Sequence, residues 1–334
     1  VEKSVEVLHT KEILIHFLKS FSLEDEYKLL GDFENFVYEV YKEGKPYILR
    51  ITHSSHRELE NLYAEIEWVN YLYKQGISVS TAFESINGKF VEFISAVDQS
   101  VFYGSLFSKA SGEQVKAFPV NNDLFSAWGK QIGKIHAATK KYESSPLIKQ
   151  RPHWYEDELL NVEKYFPETE TVARQNAIEL VEKIKSLPID KDNYGLIHSD
   201  IHAGNIFYDG RSIHVFDFDD CCYHWLVSDI AIPLYYSCLS SFTANEINKR
   251  EEFGRLFMDA FLAGYKKENN LPNGWEEQLP LFLMLRDITL YSVFNKKIAP
   301  EDRNERVIRL MDEIKTRIIQ KISIVNVIAA NKEM

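Results

Sequence analysis

The sequence predicts an α+β protein in which a small antiparallel sheet precedes a larger, mainly helical portion. Three observations carry that expectation. Strand-forming runs separated by turn residues fill much of the first hundred positions, apolar residues recur at helical spacing over most of the chain beyond residue 112, and one strand-rich stretch from Leu196 to Phe218 interrupts the helices. With 334 residues, 45% of them hydrophobic, the chain can bury the cores of two medium domains or of one two-lobed enzyme.

Taken in order, Glu12 to Phe21 has the helical spacing Ile13, Phe17, Leu18, and strand texture begins at Tyr27. Phe36–Tyr41 and Tyr47–Ile51 are rich in strand formers. The segment between them, Lys42-Glu43-Gly44-Lys45-Pro46, has turn residues, so a hairpin is expected. From Glu58, the series Leu59, Leu62, Ile66, Val69, Tyr73 alternates three and four apart and stops before Gly76, as a helix does. Strands follow at Phe90–Ile94 and Val101–Phe107. Ser108-Lys109-Ala110-Ser111-Gly112 then breaks the pattern and predicts a hinge, giving an N-terminal lobe of residues 1–107, a hinge at 108–112 and a C-terminal lobe of residues 113–334. Helices are predicted over Leu124–Thr139, Glu156–Phe166, Glu168–Ser186, Asn245–Asn269, Pro280–Phe294 and Asn304–Ile322.

A net charge of −11 opposes binding to nucleic acid or an anionic membrane, because a polyanion would approach against the field of the protein. No stretch reaches the roughly 18 uninterrupted apolar residues of a membrane span, and the first residues lack the pattern of a signal peptide. Three cysteines, two of them adjacent, make no disulfide framework. A cytoplasmic protein is expected.

The chemistry concentrates in His198-Ser199-Asp200-Ile201-His202-Ala203-Gly204-Asn205, followed after the apolar run Ile213–Phe216 by Asp217-Phe218-Asp219. Phosphoryl transfer needs a positioned carboxylate at the acceptor hydroxyl, hard oxygen ligands for magnesium, and a cation for the phosphates. Asp200, in a turn after the apolar Leu196-Ile197, suits the first task. Asn205 and Asp217 suit the second, on a predicted hairpin turning at Asp209-Gly210 that returns both to one end. Asp219 and Asp220 are candidates for a second metal contact or solvated loop carboxylates. A transition-metal site from His198, Asp200 and His202 is the weaker reading, since no further histidine cluster completes it. His198 is expected to hold the loop, and His202 to lie near substrate.

In the first lobe, Arg50 ends the apolar strand Tyr47-Ile48-Leu49, where a planar guanidinium could meet phosphates. Glu65 sits on the helix beside Trp68 and Leu72, able to turn inward to a cation. Gly31-Asp32-Phe33-Glu34-Asn35-Phe36 is either a phosphate-covering loop or a plain hairpin turn. The backbone of Ser108, Lys109 and Ala110 could bond the edge of a base.

These segments, with Ser228-Asp229-Ile230-Ala231 after them, make the chain similar to the aminoglycoside phosphotransferase and choline kinase family, whose fold is the bilobal protein-kinase-like one. The resemblance implies an ATP- and magnesium-dependent kinase of a small-molecule hydroxyl. It makes Asp200 the catalytic aspartate, Asn205 and Asp217 the metal ligands, Asp229 the brace of the catalytic loop, and Arg50 with Glu65 the phosphate-binding pair. Arginine stands where many kinases have lysine, and a glycine-rich loop is lacking. The family's acceptors range over aminoglycosides, amino alcohols, hydroxy amino acids and, in one branch, protein serine or threonine; a nucleotide-binding regulator without turnover is the remaining alternative. Glu156 and Asp157, beside Trp154 and Tyr155, are candidates to hold a cationic acceptor. Arg286, in an otherwise apolar helix, is a candidate for an amino-acid-like acceptor's carboxylate, or for an internal pair with Asp287 or a neighbouring carboxylate.

Overall fold

The computed structural model of the protein describes residues 1–146 and 150–327, so residues 328–334 of the expected C-terminal lobe lie outside the described residues. Its contacts divide the chain into two compact units. The first holds Val1–Gly112 together with Tyr142–Arg151 and His214–Asp219; the second holds Glu113–Lys141, Pro152–Ile213 and the chain from Asp220 onward.

The first unit contains helices α1 (Lys3–Glu6), α2 (Lys11–Ser20) and α3 (Leu59–Lys74), and strands β1 (Tyr27–Gly31), β2 (Phe36–Lys42), β3 (Lys45–His53), β4 (Ala82–Phe83), β5 (Glu92–Ser95) and β6 (Val101–Ser108). The strands form one antiparallel sheet in the order β1-β2-β3-β6-β4, with β5 also on β6. The β2–β3 hairpin closes through Glu43-Gly44 alone, both at positive φ, the two-residue geometry that matches strand twist. Pro46 therefore lies inside β3, opposite Tyr41, and before the first residue that pairs with β6, so its missing N–H costs no ladder bond there.

Alternation along β3 decides what reaches the site. Leu49 and Ile51 join Ile13, Leu14, Phe17 and Leu18 of α2 in one buried cluster, whereas Ile48 packs on the opposite face with Leu62 and Ile66 of α3. Arg50 shares the face of Ile48 and so points to α3. Gly76 follows α3 at φ +75°, ending that helix in the left-handed conformation. Strand β10 (Ile213–Val215) is held to the first unit by backbone bonds: Val215 N donates to Ser78 O at 3.0 Å, and Ser80 N donates to Val215 O at 3.0 Å.

The second unit contains β7 (Glu113–Gln114), α4 (Asn122–Thr139), α5 (Val162–Tyr165), α6 (Thr171–Lys185), β8 (Tyr194–Ile197), β9 (Ile206–Tyr208), β11 (Cys222–Trp225), α7 (Leu226–Ser241), α8 (Ile247–Tyr265), α9 (Trp275–Lys297) and α10 (Glu305–Gln320). β8 pairs antiparallel with β11, and β7 with β9. Two expectations need correction. Glu156–Phe166 is not one helix: two single 3₁₀ turns at Trp154–Glu156 and Glu158–Leu160 precede α5, because the side chains of Asp157 and Asn161 bond the N–H groups of Leu159 and Lys164 and restart the backbone each time. Helix α9 begins at Trp275, with Pro280 inside it, after Gly274 at φ +72°.

Helices α4 and α8 pack so closely that glycine is required. A Cβ on Gly129 would fall 1.9 Å from Phe261 O, and one on Gly264 would fall 1.9 Å from Ser126 O. Gly129→Ala must push the two backbones apart. It is expected to lower stability by about 1–3 kcal/mol in urea unfolding, the usual cost of overpacking, and a variant as stable as the parent contradicts the close approach.

Candidate active site

The turn that carries Asp200 in the second unit is built from the end of β8. Leu196 and Ile197 are buried in the β8–β11 pair, and the chain then turns sharply. The backbone N–H groups of His198 and Ser199 donate to the two carboxylate oxygens of Asp229, at 2.9 and 2.8 Å. Asp229 lies on α7 and is fully buried; His136 Nε2 of α4 stands 3.5 Å from it, and His136 Nδ1 bonds Tyr265 Oη of α8 at 2.9 Å. Ser199 is held at φ +67°, a left-handed conformation that a non-glycine residue keeps only when its surroundings impose it. His198 Nδ1 accepts from Asp200 N at 3.3 Å, the loop-holding task expected of it.

Asp200 is thereby presented beyond the turn, and donors surround its carboxylate. Asn205 Nδ2 donates to Asp200 O at 2.9 Å and to Oδ2 at 3.2 Å. His202 Nδ1 accepts from Gly204 N at 2.9 Å, which leaves Nε2 to carry the proton toward Asp200 Oδ2, 3.3 Å away. Arg286 Nη2 forms an ion pair with Oδ1, while its Nε donates to Tyr236 Oη at 3.0 Å and its guanidinium lies over the Tyr236 ring. Burial alone would raise the Asp200 carboxyl, but Arg286, His202 and His198 outweigh it and hold it below the usual aspartate value. Burial lowers the His202 pKa, against the opposing charge of Asp200. An ionised carboxylate with a depressed pKa is a weak base but a good acceptor for orienting a hydroxyl.

In the first unit, Arg50 donates from Nη1 and Nη2 to Glu65 Oε1 and Oε2, at 2.8 and 2.5 Å, a buried bidentate pair. The same guanidinium lies 3.9 Å from Asp217 Oδ1 and 4.0 Å from Asp219 Oδ1. Burial would lower the Arg50 pKa, yet Glu65, Asp219 and Asp217 together raise it. Asp217 sits at φ +63°, and its side chain is 47% exposed, so its carboxylate faces outward where the neighbouring Phe218 is buried against Trp68. Asp219 is engaged differently: His56 Nε2 meets its Oδ2 at 2.6 Å, Arg57 Nε donates to Oδ1 at 3.4 Å, and Arg151 Nη2 donates to its backbone O at 2.5 Å.

Other expected site residues have local partners. Ser108 ends β6, with its Oγ accepting from Thr81 N at 3.0 Å. Lys109 Nζ pairs with Glu39 Oε2 at 2.9 Å, and Ala110 follows in the connector out of the sheet. Glu156 accepts from His153 N at 2.6 Å and Asp157 from Leu159 N at 2.9 Å, so both carboxylates cap the 3₁₀ turns. Arg286 does not pair with its neighbour Asp287, which instead holds Arg317 at 2.6 and 2.9 Å and Tyr235 at 2.7 Å. Sequence reasoning missed Tyr236, His56, Arg57 and Arg151. The cluster His53-Ser54-Ser55-His56-Arg57 directly after the Arg50 strand was the available signal for two of them.

Within the second unit Asn205 uses its amide nitrogen on Asp200, leaving Oδ1 as an acceptor, and within the first unit Asp217 carries an outward carboxylate; both are hard oxygens of the kind divalent cations prefer. Fold and site together define a phosphotransferase of small molecules. The phosphotransferase enzyme family model matches residues 27–277, and the chain belongs to that family. Amicoumacin kinase of Bacillus subtilis strain 168 is 35% identical over 291 residues, covering 87% of this chain and 86% of that protein. Among solved structures, amicoumacin kinase hAmiN in complex with AMP-PNP, Ca2+ and Ami matches at TM-score 0.92 and 35% identity over 98% of both chains. A microcompartment-associated aminopropanol kinase, at 20% identity and TM-score 0.75 over 93% of this chain and 98% of that one, shares the fold. The chain is thus a kinase of small molecules with the α+β protein-kinase-like fold. No helix among the described residues is long and apolar enough to cross a membrane.

Two substitutions test how the site is held. Asp229→Ala strips the acceptor from two N–H groups and is expected to cost about 2–5 kcal/mol in chemical denaturation; a neutral result would deny the brace. Arg50→Met alone leaves Glu65 buried without a partner and is expected to cost about 3–5 kcal/mol, whereas Arg50→Met with Glu65→Leu recovers most of that. Stability recovered with phosphotransfer lost would show that the pair does more than hold the fold.

Proposed function

We propose that this kinase transfers the γ-phosphoryl group of ATP to a hydroxyl of an amicoumacin-type antibiotic. The observation that carries the reading is the likeness to amicoumacin kinase hAmiN, which extends over 98% of both chains at 35% identity rather than over a nucleotide-binding part alone. In this reading Asp200 is the catalytic residue that accepts and orients the acceptor hydroxyl. Arg50, fixed by Glu65, meets donor phosphates, and the backbone of Ser108, Lys109 and Ala110 meets the adenine. Asn205 and Asp217 hold magnesium, which neutralises charge on the phosphates.

On the acceptor side we place His202 and Arg286, whose side chains already meet at Asp200. A carbonyl or carboxylate beside the acceptor hydroxyl would suit Arg286. An amine would suit the negative charge of the chain and the carboxylates of Glu156 and Asp157 beyond their caps. The three cysteines, all buried and none in a disulfide, support a reducing cytoplasm as the place of action.

The test is an acceptor screen by mass spectrometry with ATP, with and without magnesium, covering amicoumacin, aminoglycosides, amino alcohols and hydroxy amino acids. A gain of one phosphoryl group on amicoumacin is expected, and Asp200→Asn is expected to lower kcat by about 10²–10⁴-fold with nucleotide binding retained. Phosphorylation of an amino alcohol with amicoumacin untouched would move the reading to that acceptor.

A further inference from the structure

A chain of three side chains in the first unit connects the β1–β2 connector to the turn that carries Asp217. Glu34 lies in the four-residue connector between β1 and β2, His56 in the turn after β3, and Asp219 two residues beyond Asp217. His56 Nε2 stands 2.6 Å from Asp219 Oδ2, and His56 Nδ1 stands 3.3 Å from Glu34 Oε2, so one imidazole has a carboxylate at each nitrogen.

A histidine with two carboxylates is also a ligand set for a cation, and the three donor atoms lie within 4.8 Å of one another. The surroundings decide against that use. Besides His56, Arg57 Nε lies 3.4 Å and Arg50 Nη1 4.0 Å from the same Asp219 carboxylate. Burial would raise Asp219, but Arg57, His56 and Arg50 bring it well below the ordinary carboxylate range. Its charge is already matched, and a divalent ion would enter against two guanidinium groups.

We propose that His56 is a positioning residue which pins the Asp32–Asn35 connector to the Asp217–Asp219 turn and so sets where that connector lies over the donor's phosphates. The inference rests on the reading of Arg50 and Asp217 as the phosphate and metal groups, and it does not depend on which acceptor is used. The connector carries no glycine after Gly31. A loop without the repeated glycines that let a backbone wrap a triphosphate has to be placed by something else, and the imidazole bridge does so through side chains on three separate segments. Glu34 is the only acidic residue of the connector besides Asp32, and it reaches His56 from the far end of the β1–β2 turn.

The experiment measures Mg·AMP-PNP affinity by calorimetry without acceptor, for the parent, His56→Gln, Glu34→Gln and the double variant. Each single variant is expected to weaken nucleotide binding by about tenfold, and the double variant no further, because both break one bridge. In turnover, the KM for ATP is expected to rise with kcat and the acceptor KM little changed. Unchanged affinity in the folded single variants overturns the proposal, as does additivity in the double variant. Stoichiometric binding of Mn2+ or Zn2+ by the parent that is lost in His56→Gln overturns it in favour of a metal site. A failed amicoumacin screen with these nucleotide results intact would sink the acceptor reading alone.

Discussion

A fully buried carboxylate that cannot reach water must find donors inside the protein, and Asp229 finds them in the backbone of the turn before Asp200. That requirement organises much of the second unit. Two N–H groups can point at one carboxylate only if the chain bends sharply between them and the next residue, and the bend appears as Ser199 at positive φ. The strain of a non-glycine residue there is about 1–3 kcal/mol, the order of magnitude that two charge-assisted hydrogen bonds offset. Asp229 is itself fixed from outside: α7 is buried along Leu226–Leu234, His136 approaches from α4, and Tyr265 of α8 bonds the other side of that imidazole. The glycine seam between α4 and α8 therefore bears on the turn before Asp200, since it sets how near Tyr265 and His136 lie.

The first unit uses the same device with the charge reversed. Arg50 is buried and permanently cationic, so it needs carboxylates. Glu65 supplies a bidentate partner, and Asp217 and Asp219 approach at 3.9 and 4.0 Å. Asp217, like Ser199, holds a left-handed backbone. The burial of Phe218 against Trp68 on one side of it, and the capture of Asp219 by His56 and Arg57 on the other, fix the turn from both flanks. Its carboxylate is consequently the one left exposed among the three that meet Arg50.

What was legible in the sequence follows from which signals are local. The β2–β3 hairpin, α3 with its terminal glycine, and the Asp200, Asn205, Asp217 spacing could be read because strand alternation, helical periodicity and short motifs are written within a few residues. Helix α7 has no amphipathic stripe, being buried all round, and so it entered only through the family resemblance. Glu156–Phe166 misled because its apolar spacing is helical while Asp157 and Asn161 cap the backbone from within. The partner of Arg286 was beyond reach for another reason. Its adjacency to Asp287 suggests a pair, but neighbours on a helix point to different sides; Asp287 turns to Arg317 and Arg286 turns to Asp200, 86 residues away.

If Asp200 orients the acceptor as proposed, that last contact bears on how the acceptor would enter. Asp200 Oδ1 holds Arg286, and Oδ2 faces both Asn205 and His202. A carboxylate has about four lone-pair positions, so in the proposed reaction three donors would leave one for the incoming hydroxyl, and Arg286 would not have to leave. Its retained charge keeps Asp200 ionised and weakly basic, which suits alignment of a nucleophile more than early removal of its proton. In a loose phosphoryl-transfer transition state the attacking oxygen has formed little of its new bond, so its proton gains little acidity until late. A carboxylate tuned for orientation by a fixed guanidinium is therefore consistent with the reaction, and the guanidinium becomes part of the acceptor's surroundings and not an obstacle to it.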